Sequence, residues 1–216
     1  MSAIAERLFL PGYGARGSLY RRGLGSGWTP LEVPAVGEGA GVLAWRRRWI
    51  DEELRRRAGP VALAGHSMGA ALAICAAAAR PEKVASLLLI APAGLPLAKP
   101  IRKSLAEFCA QVAAGRYPLV EAAWSARSVM AAPRKALRLA RGVQHADLTA
   151  EMRRVGEAAI PATVVGCTTD TLVTPDQCRR VAGLLGARYC EVRLDGGHMW
   201  MLDEWALFAG LLAGVR

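Results

Sequence analysis

Residues 61–79 read VALAGHSMGAALAICAAAA, and this stretch decides the fold class. Val61 to Ala64 is a short apolar run, typical of a strand that is buried on both faces. An alanine-rich segment then runs to about Arg80 and predicts a helix. Gly65-His66-Ser67-Met68-Gly69 joins the two in the pattern Gly-x-Ser-x-Gly. A turn this tight leaves room only for glycine beside the serine, and it lifts the hydroxyl off the sheet edge. The stretch therefore predicts a strand–turn–helix unit with Ser67 as the candidate nucleophile.

Short apolar runs alternate with helical stretches along the rest of the chain, which indicates a parallel α/β sheet. Further strands are predicted at Ile4–Leu10, Leu31–Val33, Ser86–Ala91, Ala162–Gly166 and Tyr189–Leu194, and helices at Val42–Arg57, Pro175–Leu185 and Met201–Ala213. In the helix over 42–57, acidic and basic residues recur four apart, so its arginines are expected to form a solvated face with local ion pairs. Residues 94–159 lack strand character and are predicted to form an insertion of short helices between two strands.

Length and composition predict one domain over residues 1–216. The chain is 53% hydrophobic and 21% charged, which excludes disorder, collagen-like repeats and a charged coiled coil. No apolar run approaches the roughly 20 residues of a membrane span, and no signal peptide is predicted. The five cysteines are scattered without paired spacing, so we expect reduced thiols in a cytoplasmic protein rather than zinc or disulfides.

A formal net charge of +10 requires that an anionic partner be considered. The basic excess lies mainly between residues 99 and 154, where Arg134, Arg138 and Arg141 fall at helical spacing. This stripe either recognises an anionic group, such as a coenzyme A phosphate or a lipid surface, or is a solvated helix face. No nucleic-acid motif is present, so nucleic acid is not expected as a partner.

A serine nucleophile needs a base, and the chain has three histidines. His66 adjoins Ser67 on the turn and should point away from it, and His145 lies in the insertion. His198 follows the last predicted strand, where a loop can carry its imidazole over the sheet edge. His198 is therefore the predicted base.

A carboxylate must orient that imidazole. Asp170 follows the predicted strand 162–166 directly and gives the order Ser67, Asp170, His198 along the chain. Asp195 is a rival, but it is too close to His198 on one loop for a good geometry, and Asp176 is better explained as the start of a helix. Asp170 is the predicted orienting acid.

Two backbone N–H groups must stabilise the oxyanion. Met68, directly after the nucleophile, supplies one, and Tyr13 in the glycine-rich loop after the first strand supplies the other. Tyr13, Met199 and Trp200 are expected to line the substrate pocket because of their positions. Trp124 and other apolar residues of the insertion are candidates for the same pocket, or they simply pack the insertion onto the body.

With these residues in place, the chain resembles the α/β-hydrolases over nearly its whole length. The resemblance implies a Ser-His-Asp hydrolase without metal or cofactor, in which residues 94–159 form a small helical cap. Pro11-Gly12 stands where the family often has His-Gly, and the first two strands common in the family are missing. We therefore expect a shortened N-terminus and six parallel strands, in the order 2-1-3-4-5-6.

The resulting prediction is hydrolysis of a small carboxylic ester or thioester, anionic if the basic stripe binds it, through an acyl-Ser67 intermediate. An acyltransferase on the same triad is one alternative. A non-catalytic binding protein on a hydrolase fold is another, suggested by Pro11 and the shortened N-terminus. An apolar cap could also mediate a homodimer.

Overall fold

The computed structural model describes residues 6–33, 42–97 and 119–215, together with positions 103, 106, 110 and 113. Six parallel strands form one sheet in the order β2-β1-β3-β4-β5-β6, as predicted. The strands are β1 (Glu6–Leu10), β2 (Thr29–Pro30), β3 (Val61–His66), β4 (Val84–Ile90), β5 (Ala162–Cys167) and β6 (Arg188–Val192).

Eight α-helices accompany the sheet in the described part of the chain. They are α1 (Arg21–Leu24), α2 (Val42–Arg55), α3 (Met68–Ala79), α4 (Leu119–Ala131), α5 (Pro133–Gln144), α6 (Thr149–Glu157), α7 (Pro175–Leu185) and α8 (Trp205–Ala213). Short 3₁₀ turns cover Gly17–Tyr20, Gly25–Gly27, Pro81–Lys83 and Gly197–Leu202.

Successive side chains of the strands enter two separate cores, because neighbouring residues of a strand point to opposite faces. Leu8, Leu63 and Leu89 belong to one core, which α2, α3, α6 and α7 cover. Phe9, Ala64 and Ile90 belong to the other core, which residues 19–28 and α8 cover. The protein is therefore a three-layer α/β structure with both faces of the sheet buried.

The predicted insertion between β4 and β5 is helical in its described part. Leu97 N–H donates to the Gln144 carbonyl (2.8 Å) and Leu148 N–H donates to the Gly94 carbonyl (2.7 Å). In α5, Leu139 and Val143 are buried in the first core, whereas Arg134, Arg138 and Arg141 are exposed. The basic stripe therefore lies on the solvent side of this helix.

Several element boundaries differ from the prediction; β4, for example, begins at Val84 rather than at Ser86. The second strand was expected at 31–33, but the pairing of Leu8 with Thr29 and Phe9 with Pro30 puts β2 two residues earlier. The last helix was expected from Met201, but the chain first forms the 3₁₀ turn 197–202 and restarts as α8 at Trp205.

The sequence suggested that the arginines of α2 form a solvated face, but not all of them do. Arg55 does pair with Asp51 (2.9 Å), but Arg47 pairs with Glu151 on α6 (3.4 Å) and Arg46 is buried with 6% of its surface exposed. Periodicity missed this because it identifies an apolar stripe but not which flanking charge a neighbouring helix covers.

Cys75, Cys167, Cys178 and Cys190 are all free thiols, and Cys109 lies outside the described residues. Within the described ranges, no helix has the length and apolar character needed to cross a bilayer.

Candidate active site

The turn between β3 and α3 holds Ser67 in a conformation that L-residues rarely adopt, with φ of 54° and ψ of −115°. Neighbouring backbone leaves no room for a side chain at the two glycines of the motif. A Cβ atom at Gly65 would lie 2.6 Å from the Ala70 nitrogen, and one at Gly69 would collide with the Leu10 carbonyl. The two glycines of the motif are thus required by packing, and α3 approaches the end of β1 closely.

Hydrogen bonds with the end of β4 and with α3 fix the backbone of Ser67. Its N–H donates to the Ile90 carbonyl (2.9 Å), and its carbonyl accepts from Ala71 and Ala93 (both 3.1 Å). Ser67 is 7% exposed, and its hydroxyl makes no hydrogen bond to any residue that the structure describes. The hydroxyl is therefore free to engage a reacting group.

Asp170 and His198 meet at the carboxyl end of β5. His198 Nδ1 lies 2.7 Å from Asp170 Oδ2, while Asp170 Oδ1 accepts the backbone N–H groups of Leu172 (2.9 Å) and Val173 (3.0 Å). The Asp170 side chain has no exposed surface, and that of His198 is 13% exposed. Asp195, the rival acid, is exposed. The carboxylate is thus held rigidly, with one oxygen directed at the imidazole.

Beneath this pair lies the buried imidazole of His66. Its Nε2 is 3.1 Å from the His198 carbonyl oxygen, its Nδ1 is 2.9 Å from the Tyr20 hydroxyl, and its ring centroid is 4.7 Å from that of His198. Burial and the neighbouring His198 hold the pKa of His66 well below its usual value. A neutral ring protonated on Nε2 satisfies both contacts, because a carbonyl oxygen can only accept and the Tyr20 hydroxyl can then donate to Nδ1.

The loop after β1 brings Tyr13 to the same end of the sheet. Its hydroxyl donates to the Ala136 carbonyl of α5 (3.1 Å), and burial raises the pKa of the phenol. Gly12 lies against the His66 ring, where a Cβ would approach Nδ1 to 2.8 Å. Met68, which begins α3, is buried. The predicted oxyanion residues thus lie on the two turns that follow β1 and β3.

Comparison with known proteins identifies the family of the chain. A family model described as the alpha/beta hydrolase family matches residues 8–211. The chain belongs to the alpha/beta hydrolase family. No curated protein matches the sequence significantly.

Solved structures of the alpha/beta hydrolase fold are similar over nearly the whole chain. The enol-lactonase from Burkholderia xenovorans LB400 is 18% identical with a TM-score of 0.77, covering 98% of this chain and 91% of its own. A thermophilic esterase is 17% identical with a TM-score of 0.76 (98% and 89% covered). The thioesterase domain from the curacin biosynthetic pathway is 19% identical with a TM-score of 0.57 (98% and 91% covered). At such identities the likeness establishes the fold.

The expected pocket residues of this alpha/beta hydrolase occupy different environments. Tyr13 is 38% exposed and Met199 is partly buried against the second core. Trp200 has no exposed surface and belongs to that core, so its side chain packs beneath the sheet. The side chain of Trp124 lies outside the described residues.

Two residues of this hydrolase site were not singled out from the sequence. Tyr20 reaches His66 from the second core, and Arg46 reaches the turn from α2, where its Nη1 donates to Met68 Sδ (3.0 Å). No motif marks either residue, because both come to the site through the packing of distant elements.

Proposed function

We propose that the protein is a serine hydrolase that cleaves a carboxylic ester or thioester through an acyl-Ser67 intermediate. The observation that carries the proposal is the 2.7 Å contact between His198 Nδ1 and the fully buried, doubly hydrogen-bonded Asp170 carboxylate. A solvent-facing loop histidine has no need of such a partner. Esterase, lactonase and thioesterase relatives in fold support the same reaction class.

In the first half-reaction, His198 Nε2 takes the proton of the Ser67 hydroxyl as the oxygen attacks the carbonyl carbon. The Asp170 carboxylate keeps the other imidazole proton on Nδ1, so that Nε2 is free to accept, and it stabilises the imidazolium that forms. When the tetrahedral intermediate collapses, His198 returns the proton to the departing alcohol or thiol.

The oxyanion of that intermediate is stabilised by the backbone N–H groups of Met68 and Tyr13. Met68 opens α3, so the partial positive charge of the helix N-terminus adds to its N–H. Pro11 has no N–H to donate, and this leaves the donor role to a later residue of the loop.

Water completes the reaction in the second half. His198 removes a proton from water, which attacks the acyl carbon, and the proton then returns to Ser67 as the acid leaves. An acyltransferase would use an alcohol or thiol at this step. We propose that residues 94–159 act as a cap that controls access, since α5 contacts Tyr13 through the Ala136 carbonyl.

Labelling with a fluorophosphonate tests the nucleophile. The wild type should gain one adduct in intact-mass spectra and hydrolyse p-nitrophenyl esters, whereas Ser67→Ala should do neither and lose at least about 10⁴-fold in turnover. The matched control is Ser86→Ala, which removes another buried serine hydroxyl, from β4. An adduct on Ser67→Ala, or none on a folded wild type, would overturn the proposal.

A further inference from the structure

Arg46 is a buried arginine without a carboxylate partner among the residues that the structure describes. Only 6% of its surface is exposed, and burial lowers the pKa of its guanidinium to about 10, so it remains charged at neutral pH. Nη1 donates to the thioether of Met68, a weak acceptor, and Nε is enclosed without a partner. This contact with sulfur is the one hydrogen bond that Arg46 makes to the described part of the chain.

Neighbouring arginines on and after α2 are different. Arg47 pairs with Glu151, Arg55 with Asp51 and Arg56 with Glu53, all through carboxylate oxygens. A buried charge without a counter-charge destabilises the folded state even after the surroundings relax. Of these four arginines, Arg46 is thus the one that faces no carboxylate of the described residues.

The location of Arg46 connects it to the proposed chemistry. Its guanidinium contacts Met68, the residue after the proposed nucleophile, and its charge acts on the phenol of Tyr13, in the other proposed oxyanion turn. Arg46 therefore neighbours a side chain on each of the two turns that carry the proposed oxyanion donors.

We infer that Arg46 binds a carboxylate of the substrate, so that the preferred substrates are esters, lactones or thioesters whose acyl or leaving group carries a second, anionic carboxylate. The inference rests on the proposed function, because it names the substrate class of that same site. A planar carboxylate accepts two parallel N–H bonds from a guanidinium, which supplies the oxygen acceptors and the counter-charge that Arg46 lacks.

The experiment compares two p-nitrophenyl esters of equal acyl length, the adipic acid monoester and the hexanoate. The wild type should have the higher kcat/KM on the anionic ester. Arg46→Gln should lose about 100-fold on the adipate ester and only a few-fold on the hexanoate, because a charge-assisted pair is lost for one substrate alone. Arg48→Gln, at an exposed position of the same helix, is the control for net charge and should retain the wild-type ratio.

A second measurement uses the wild type alone and does not depend on whether Arg46→Gln folds. Free adipate should inhibit wild-type hydrolysis of the hexanoate ester competitively, and hexanamide at the same concentration should not. Equal losses on both esters in Arg46→Gln, or equal inhibition by adipate and hexanamide, would overturn the inference and leave the hydrolase intact. A wild type that cleaves neither ester and takes no fluorophosphonate would instead overturn the proposed function.

Discussion

Asp170 receives three hydrogen-bond donors on two carboxylate oxygens, and only one of them is the imidazole of His198. In Asp170→Asn an amide N–H can face Nδ1, which then accepts, and the ring proton moves to Nε2, where a base must be free. We expect kcat to fall about 10⁴-fold with the fold preserved. Steady-state kinetics beside Asp195→Asn provides the check, and a larger loss in Asp195→Asn would mean that the acid is misassigned.

Ser67 illustrates the cost of displaying a nucleophile on a tight turn. At φ of 54° a side chain is strained, whereas glycine is not. Ser67→Gly should therefore be more stable than Ser67→Ala by about 1 kcal/mol in urea unfolding, although both lack turnover. The order should reverse at Ser86, in the middle of β4, since glycine weakens a strand. Equal stability of the two Ser67 variants would show that the turn is not strained.

At the scale of elements, the contact between α3 and the end of β1 is the tightest part of the site. Gly69→Ala places a methyl group against the Leu10 carbonyl, so α3 must move away from the loop that carries Tyr13. We expect a loss of more than about 2 kcal/mol in unfolding free energy together with a loss of activity. Gly183→Ala in α7 is the matched control.

Nothing lies within 4 Å of a Cβ at Gly183, so the alanine there should add about 0.5–1 kcal/mol through helix propensity. Urea midpoints of the two variants measure the contrast. If Gly69→Ala proved as stable as wild type, the close approach of α3 to β1 would be incorrect.

Elements whose signal is local could be predicted from the sequence. The turn after β3 and helix 175–185 follow from apolar runs, glycines and a Thr-Pro start that forms a capping box, whereas the strand order follows from the resemblance to the family. The start of β2 could not be predicted, because it depends on which residues of β1 pair with it. The placement of Asp170 beside His198 also followed from the strand ends.

The sequence did not predict the environment of residues that are placed by packing between distant elements. Arg46 belongs to a helix rich in ion pairs, and no pattern distinguishes it from Arg47 or Arg48. Trp200 adjoins His198 in sequence, but the 3₁₀ turn rotates it into the core beneath the sheet. Tyr20 reaches the site from a short turn that has no periodicity.

For the whole molecule, the buried His66 couples stability to pH. The pKa of His66 is depressed in the folded state and near 6.5 in the unfolded chain, so the unfolded state binds more protons below that pH. Stability should therefore fall as pH falls below about 6.5, with a slope from this group approaching 1.4 kcal/mol per pH unit. Urea unfolding of the wild type and of His66→Gln between pH 5 and pH 8 measures how much of the pH dependence of stability comes from this residue.

The slope should be shallower in His66→Gln, whereas His145→Gln, which alters an exposed histidine, should follow the wild type. Parallel curves for wild type and His66→Gln would mean that this imidazole takes up its proton in the folded state as readily as in the unfolded one.

The enclosure of His66 also gives the molecule an internal spectroscopic probe. Both ring nitrogens are engaged, one with the Tyr20 hydroxyl and the other with the His198 carbonyl, and the side chain has almost no contact with water. The Nε2 proton should therefore exchange slowly and give a resolved downfield resonance in proton NMR spectra. Because that proton is hydrogen-bonded to the His198 carbonyl, its chemical shift would change with each inhibitor or acyl group that displaces the turn carrying His198.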